Sequence, residues 1–162
     1  MASAQDNGPE YALKAAFISK FPHFAEWPDS AVANRSTIDV CVAKPNPFGD
    51  ALNELVTGER RGERALNLRY LDGTEDLSGC HVLFVPARPA VDRKTLLTRA
   101  TAFPILTVGD YGAFLDEGGI VGLQMVDGRV RFEVDAARAG RVGLRLSSQL
   151  LQLALNVRGG SR

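Results

Sequence analysis

Between residues 10 and 27 the apolar positions Leu13, Phe17, Ile18, Phe21, Phe24 and Ala25 recur at helical spacing, which predicts a helix with one face turned to a core. Pro22 interrupts this run: it has no amide hydrogen to donate and pushes Phe21 away from helical angles, so a kink or break is expected there. Trp27-Pro28-Asp29 ends the segment. Residues 36–43 are short and β-branched and read as a buried strand. Pro47 stands near the first turn of a short helix over 50–56, residues 57–63 form a polar loop, and 65–71 alternate like a strand. A second buried strand covers 81–85 and stops at Pro86. Helix 91–101 follows with Asp92 as its cap, then strand 104–108 and a short helix over 111–116.

Residues 120–126 and 129–134 flank Asp127-Gly128, a pair suited to the two positive φ angles of a type I′ hairpin turn. A helical turn over 135–140 and a last helix over 143–157 complete the pattern. In that helix Arg145, Gln149, Gln152 and Asn156 make one narrow polar stripe. Leucines and small residues fill the other roughly 220° of the wheel, more than a surface helix needs. Such a helix is either sandwiched inside the fold or offers its second face to a partner or a twin subunit. Strands alternating with helices predict an α/β fold, a single-domain sandwich with a mixed β-sheet flanked by helices, Rossmann-like, ending in a β-hairpin and a long C-terminal helix. The expected domain spans residues 10–158, with 1–9 and 159–162 as flexible termini.

Composition narrows the partners. The 162 residues are 45% hydrophobic and 23% charged, which suits one globular domain. Nineteen Lys plus Arg balance nineteen Asp plus Glu, so no net field seeks nucleic acid or an acidic membrane surface. No apolar stretch approaches the roughly 20 residues that span a bilayer. The first residues carry no basic-then-apolar leader, leaving open a cytosolic chain or an exported one whose leader is not in this sequence.

Chemistry is sparse. Gly118-Gly119-Ile120-Val121-Gly122 precedes a strand and lacks the helix start that grips a pyrophosphate, so it reads as a turn with close backbone packing. Ala43-Lys44 and Pro86-Ala87 occupy the places where a receiver domain would carry its acids. There is no Gly-x-Ser-x-Gly elbow, and Ser147 and Ser148 read as small packing residues within the last helix. His81 follows Cys80 at the start of a strand, where adjacent side chains point to opposite faces, so the two make no simple thiolate–imidazole dyad. His23 falls on the polar side of the first helix. Cys41, Cys80 and His81 lack the paired short spacings of a structural zinc site. No catalytic residue, metal or cofactor is assigned. Cys41 and Cys80 read equally as two buried thiols or as a bridge that closes a loop of about 40 residues, contributes on the order of 4 kcal/mol and needs an oxidising compartment.

Taken together and in order, these motifs resemble the YfiR family. The resemblance runs through Tyr11-Ala12-Leu13-Lys14-Ala15-Ala16-Phe17, Glu26-Trp27-Pro28, Val40-Cys41-Val42, Pro47-Phe48-Gly49 and Cys80-His81-Val82-Leu83-Phe84. It continues through Leu106-Thr107-Val108-Gly109-Asp110, Gly118-Gly119-Ile120, Arg131-Phe132-Glu133-Val134-Asp135 and Gly143-Leu144-Arg145-Leu146-Ser147-Ser148-Gln149-Leu150-Leu151, nearly the whole of 11–157. It implies a periplasmic, non-enzymatic regulator made with a cleaved signal peptide. Such a regulator binds the periplasmic region of a membrane diguanylate cyclase, lowers cyclic-di-GMP and restrains biofilm formation. An outer-membrane lipoprotein relieves the repression, and a homodimer is expected. Cys41 and Cys80 match one family disulfide, the second family pair being absent, and Asp135 stands where the family usually carries Asn.

For partner or subunit contact the expected residues are Leu144, Leu151 and Leu155 with the hairpin's Arg129 and Arg131. The alternative is a small-molecule sensor or solute-binding domain of the same fold, with a cleft by Gly118, Gly119 and Arg131. Denatured without reductant, protein exported by its native host is expected to titrate no free thiol; two free thiols would remove the disulfide reading.

Overall fold

In the computed structural model, which describes residues 8–159, the first helix, α1 (Gly8–Lys20), stops before Pro22. The chain tightens into a 3-10 turn (Phe21–Phe24) with Pro22 in its opening positions, where a missing amide hydrogen forfeits no intrahelical bond. α1 begins at Gly8, two residues before the expected start of the domain, and Gly159 lies against Ala137; residues 1–7 and 160–162 lie outside the described residues.

The chain continues through β1 (Ala25–Glu26), α2 (Asp29–Val32), β2 (Thr37–Ala43), α3 (Ala51–Val56), β3 (Arg60–Arg61) and β4 (Arg64–Leu71). Then come β5 (Val82–Val85), α4 (Arg93–Ala100), β6 (Leu106–Gly109), β7 (Val121–Val126) and β8 (Arg129–Asp135). The last elements are α5 (Ala136–Arg141), β9 (Arg145–Leu146), α6 (Ser148–Leu153) and β10 (Asn156–Arg158). One eight-stranded sheet runs in the order β10-β8-β7-β6-β5-β2-β4-β3, while β1 and β9 pair in a separate ribbon. The strands from β7 to β4 are parallel, and β8 and β3 turn back antiparallel, so the sheet is mixed as expected. Asp127 and Gly128 both take positive φ in the β7–β8 turn.

Alternation along the central strands serves two cores. Ile38, Val40, Val42, Val82 and Phe84 face a core covered by α1, α3, α5 and α6. Cys41, Ala43, Leu83 and Val85 face a second core under α4. Cys41 and Cys80 form a buried disulfide on that side, with Cα atoms 6.0 Å apart.

Two expected helices are not formed. Residues 111–118 run as successive turns around Phe114, whose ring fills the space left by two glycines: a Cβ would lie 2.5 Å from it at Gly109 and 2.1 Å at Gly119. The close-packed turn expected at Gly118-Gly119 is this feature. The long C-terminal helix is replaced by β9, α6 and β10. Leu144 plunges into the core, β9 pairs with β1, Ser147 lies outside the helix and caps it by accepting from the Leu150 amide (3.1 Å), and β10 pairs with β8. Helix propensity loses here because the edge of β8 carries unpaired amides and carbonyls that residues 155–158 satisfy, beginning with Leu155 N–H to Phe132 O (2.7 Å). The polar stripe of Arg145, Gln149, Gln152 and Asn156 therefore does not exist as one surface.

His81 fastens the amino ends of β2 and β5. Its Nδ1 accepts from the Asp39 amide (2.9 Å), its Nε2 donates to the Ala31 carbonyl (2.9 Å), and its own carbonyl accepts from the Trp27 indole N–H (3.1 Å). A proton on Nδ1 would face an N–H donor, so the ring is held neutral, and burial pushes its pKa below the usual histidine value. As pH falls through about 6.5 the unfolded chain takes up a proton that the native ring refuses, so stability is lost on that side and full above it. Denaturant unfolding at pH 7.5 and 5.5 is expected to give a lower stability at 5.5, by at most about 1.4 kcal/mol per pH unit from this group. In His81→Gln that difference shrinks.

Candidate docking surface

Pro22 does more than end α1. The turn it opens swings Phe21 into the core beside Phe132 of β8, with ring centroids 5.6 Å apart and nearly perpendicular. Phe17, one turn earlier on α1, meets Phe132 at 6.1 Å and Phe21 at 6.3 Å, so three rings lock edge to face. Arg61 holds the turn open from beneath, donating from Nε to the Pro22 carbonyl and from Nη2 to the Ala25 carbonyl, both at 2.8 Å. Opposite the rings stands α6, which buries Leu150 and leaves Leu153 62% exposed. Between them opens an apolar groove of about 240 Å³, floored by the rings and walled by Ala16, Phe24, Leu150 and Leu153.

The rim is polar on one side. Lys20 Nζ lies 3.4 Å and His23 Nε2 2.9 Å from Glu59 carboxylate oxygens. The His23 hydrogen bond first, and Lys20 second, hold the Glu59 carboxyl below the usual range. Such exposed pairs contribute little and leave Lys20 free to follow a bound surface.

The carboxyl edge of the parallel strands carries more charge. β2 and β5 are neighbours whose following helices, α3 and α4, lie on opposite faces, the switch point where open α/β sheets bind ligands. An open hollow of about 640 Å³ there is lined by Lys44, Asn46, Asp50 and Tyr70 among others. Beside it Asp110 accepts from the Tyr11 hydroxyl and pairs with buried Lys14 (3.1 Å), and Glu117 takes Arg93 in a two-pronged pair (2.8 and 2.6 Å). Burial first, then Asp110, raises the Tyr11 pKa well above its ordinary value. These groups are neutralised by one another, an arrangement that anchors α1 and the 111–118 turns to the sheet edge. Among the described residues no three potential metal ligands gather.

A family model described as YfiR/HmsC-like matches residues 11–155. The chain belongs to the YfiR/HmsC-like family. Membership points to a periplasmic regulator and not to a catalytic family. Among curated proteins none matches. Several solved structures are similar in fold, among them these two. A conserved domain protein from Vibrio cholerae O1 biovar El Tor strain N16961 aligns with TM-score 0.54 and 11% identity over 80% of this chain and 57% of its own. The ABC domain in complex with L-Trp from Streptococcus pneumonia aligns with TM-score 0.57 and 11% identity over 88% and 60%. The chain thus spans less than two thirds of either. No helix among the described residues is long and apolar enough to cross a membrane.

Within this YfiR/HmsC-like fold the residues expected for contact scatter. Leu144 is buried at 3% exposure and belongs to the core, which removes it from any docking face. Leu151 is half-buried against that core, and Leu155, 41% exposed, sits where the chain leaves α6 for β10. Arg129 is exposed beside the hairpin turn, and Arg131 is half-buried opposite Gln124. Gly118 and Gly119 precede the first residue of β7, whereas Gln124 lies three residues along it, about 10 Å away at strand rise. Gly118 and Gly119 thus stand about three strand positions from Arg131, with Arg138 the side chain nearest to Gly118. Phe17 and Phe24 fall on the apolar face read before and after the break at Pro22, whereas the exposure of Leu153 follows from the short α6 that replaces the expected 143–157 helix.

Leu153→Glu is expected to change unfolding free energy by no more than about 0.5 kcal/mol. Phe21→Ala, which empties the floor, is expected to cost about 3–5 kcal/mol. Parallel denaturant titrations check both.

Proposed function

We propose that this protein is a periplasmic regulator without chemistry of its own, which holds down an inner-membrane diguanylate cyclase by gripping its periplasmic sensor region. The result is less cyclic-di-GMP and less biofilm, with an outer-membrane lipoprotein relieving the grip. Family membership supports the class of function. The observation that carries the mode of action is the open apolar groove with Leu153 standing 62% exposed at its lip. A large apolar side chain left in water beside a ring-floored groove marks a surface that a protein partner covers.

Repression of this kind is an equilibrium effect. The regulator shifts the cyclase only by binding the inactive state more tightly than the active one. Moving a cyclase from 99:1 active to 1:99 needs about a ten-thousand-fold preference, roughly 5.5 kcal/mol. One or two apolar anchors that seat in the groove only from the inactive state, each contributing about 1.5–3 kcal/mol, reach that scale.

A second reading, a small-molecule sensor, is favoured by the hollow lined by Lys44, Asp50 and Tyr70 at the sheet's switch point. It draws further support from the fold neighbour described as complexed with L-Trp. In the host, Leu153→Glu is expected to weaken co-purification of the cyclase at least about tenfold, near 1.4 kcal/mol, and to raise cellular cyclic-di-GMP. Unchanged capture and unchanged cyclic-di-GMP would sink the groove reading, while release by Tyr70→Ala alone would move the contact to the hollow. Self-association through the same face would compete with the cyclase, so sedimentation of both proteins accompanies the assay.

A further inference from the structure

On the face of the sheet away from the groove, past the core under α4, the side chains of β2 and β4 turn polar: Thr37, Asp39, Asn67 and Arg69. Here two positive charges converge on one glycine. A Cβ on Gly79 would lie 3.2 Å from Arg69 Nη1 and 3.3 and 3.4 Å from Arg35 Nη1 and Nη2. The glycine thus leaves the gap into which both guanidinium groups fit.

Their compensation is unequal. Arg69 Nη1 lies 3.3 Å from Asp39 Oδ2. Arg35 is exposed, and no carboxylate among the described residues lies within ion-pair distance of its guanidinium. Arg64 fixes the backbone that carries Arg35, its guanidinium donating to the carbonyls of Val32 (2.8 Å) and Arg35 (3.1 Å). Two acids face the group. Asp39 is buried and divided among Thr37, Asn67 and Arg69. Asp76 accepts from the amide and hydroxyl of Ser78, bonds that hold its carboxyl below the usual range, with Arg99 and Arg69 adding to the effect. Of the two arginines over Gly79, Arg69 has Asp39 and Asp76 near it, and Arg35 has no acid within ion-pair distance.

Two guanidinium groups brought to one glycine gap, one of them without a carboxylate, leave a place where an anion would be stabilised by both. Guanidinium forks suit this task, since each can direct two N–H groups at an oxyanion and make charge-assisted bonds of about 2.8 Å. We propose that Arg35 and Arg69, meeting over Gly79, form a clasp for one oxyanion, a carboxylate or a phosphate group. The clasp lies on the opposite face from the groove floor at Phe132, so an occupant leaves the docking surface open. The proposal does not depend on the cyclase reading.

The test uses the whole chain at constant ionic strength, titrated in one arm with inorganic phosphate and in the other with acetate. Thermal midpoint and the arginine Nε–H NMR signals are followed. A saturable response is expected in at least one arm, and the anion that saturates at lower concentration identifies the group. Arg35→Gln is expected to weaken that response at least tenfold while raising the midpoint in anion-poor buffer, because it removes the repulsion. Gly79→Ala, which fills the gap with a methyl group, is expected to weaken it as well, and Arg141→Gln on α5, across the sheet, to leave it unchanged. The clasp is refuted if neither anion saturates, or if Arg35→Gln answers both anions as the wild type does.

Discussion

The parallel pairing of β2 with strands on both sides is the constraint from which the two cores follow. All seven of its residues pair with β4, and its centre pairs with β5. With side chains alternating, one strand feeds Ile38, Val40 and Val42 to the core under α1 and Cys41 and Ala43 to the core under α4. A slip of one residue would exchange these sets and drive Asp39 toward the larger core, so the register admits no near alternative. Two cross-links hold it there. The His81 ring spans the Asp39 amide and the Ala31 carbonyl, and the Cys41–Cys80 bridge ties the strand centre to the approach of β5.

That frame was legible in the residues because its signals are local. Short β-branched runs, Pro86 after the second strand, Asp92 before α4 and Asp127-Gly128 in the hairpin each act within a few positions. The residues 143–157 were misread for the opposite reason. Their leucines carry a good helical period, and no residue in the segment says that β8 has an open edge. Only Gly143 with its positive φ and the Ser147 cap betray that the helix starts late. The groove and the clasp were equally out of reach. Phe17 and Phe24 belong to a visible apolar face, but their floor needs Phe132 from β8, and Arg35 meets Arg69 only because β2 and β4 are neighbours.

Closing the sheet and opening the groove are one event. If residues 154–157 continued α6, Leu155 would stay on the helix and its amide would leave the Phe132 carbonyl on the edge of β8 unpaired. Instead the chain straightens at Ala154 and pairs with β8, ending the helix at six residues. The terms are of similar size: each new backbone hydrogen bond contributes about 1 kcal/mol, and covering a leucine fully about 1.5–3 kcal/mol. The balance tips because unpaired strand groups near a core cost about 1–3 kcal/mol each, and an open edge invites pairing with other chains. Exposure of Leu153 is thus the residue of satisfying β8, and it places the apolar lip beside rings that are already locked. A surface preset in this way loses little side-chain freedom when a partner arrives, so more of the contact energy is left to discriminate between two states of that partner.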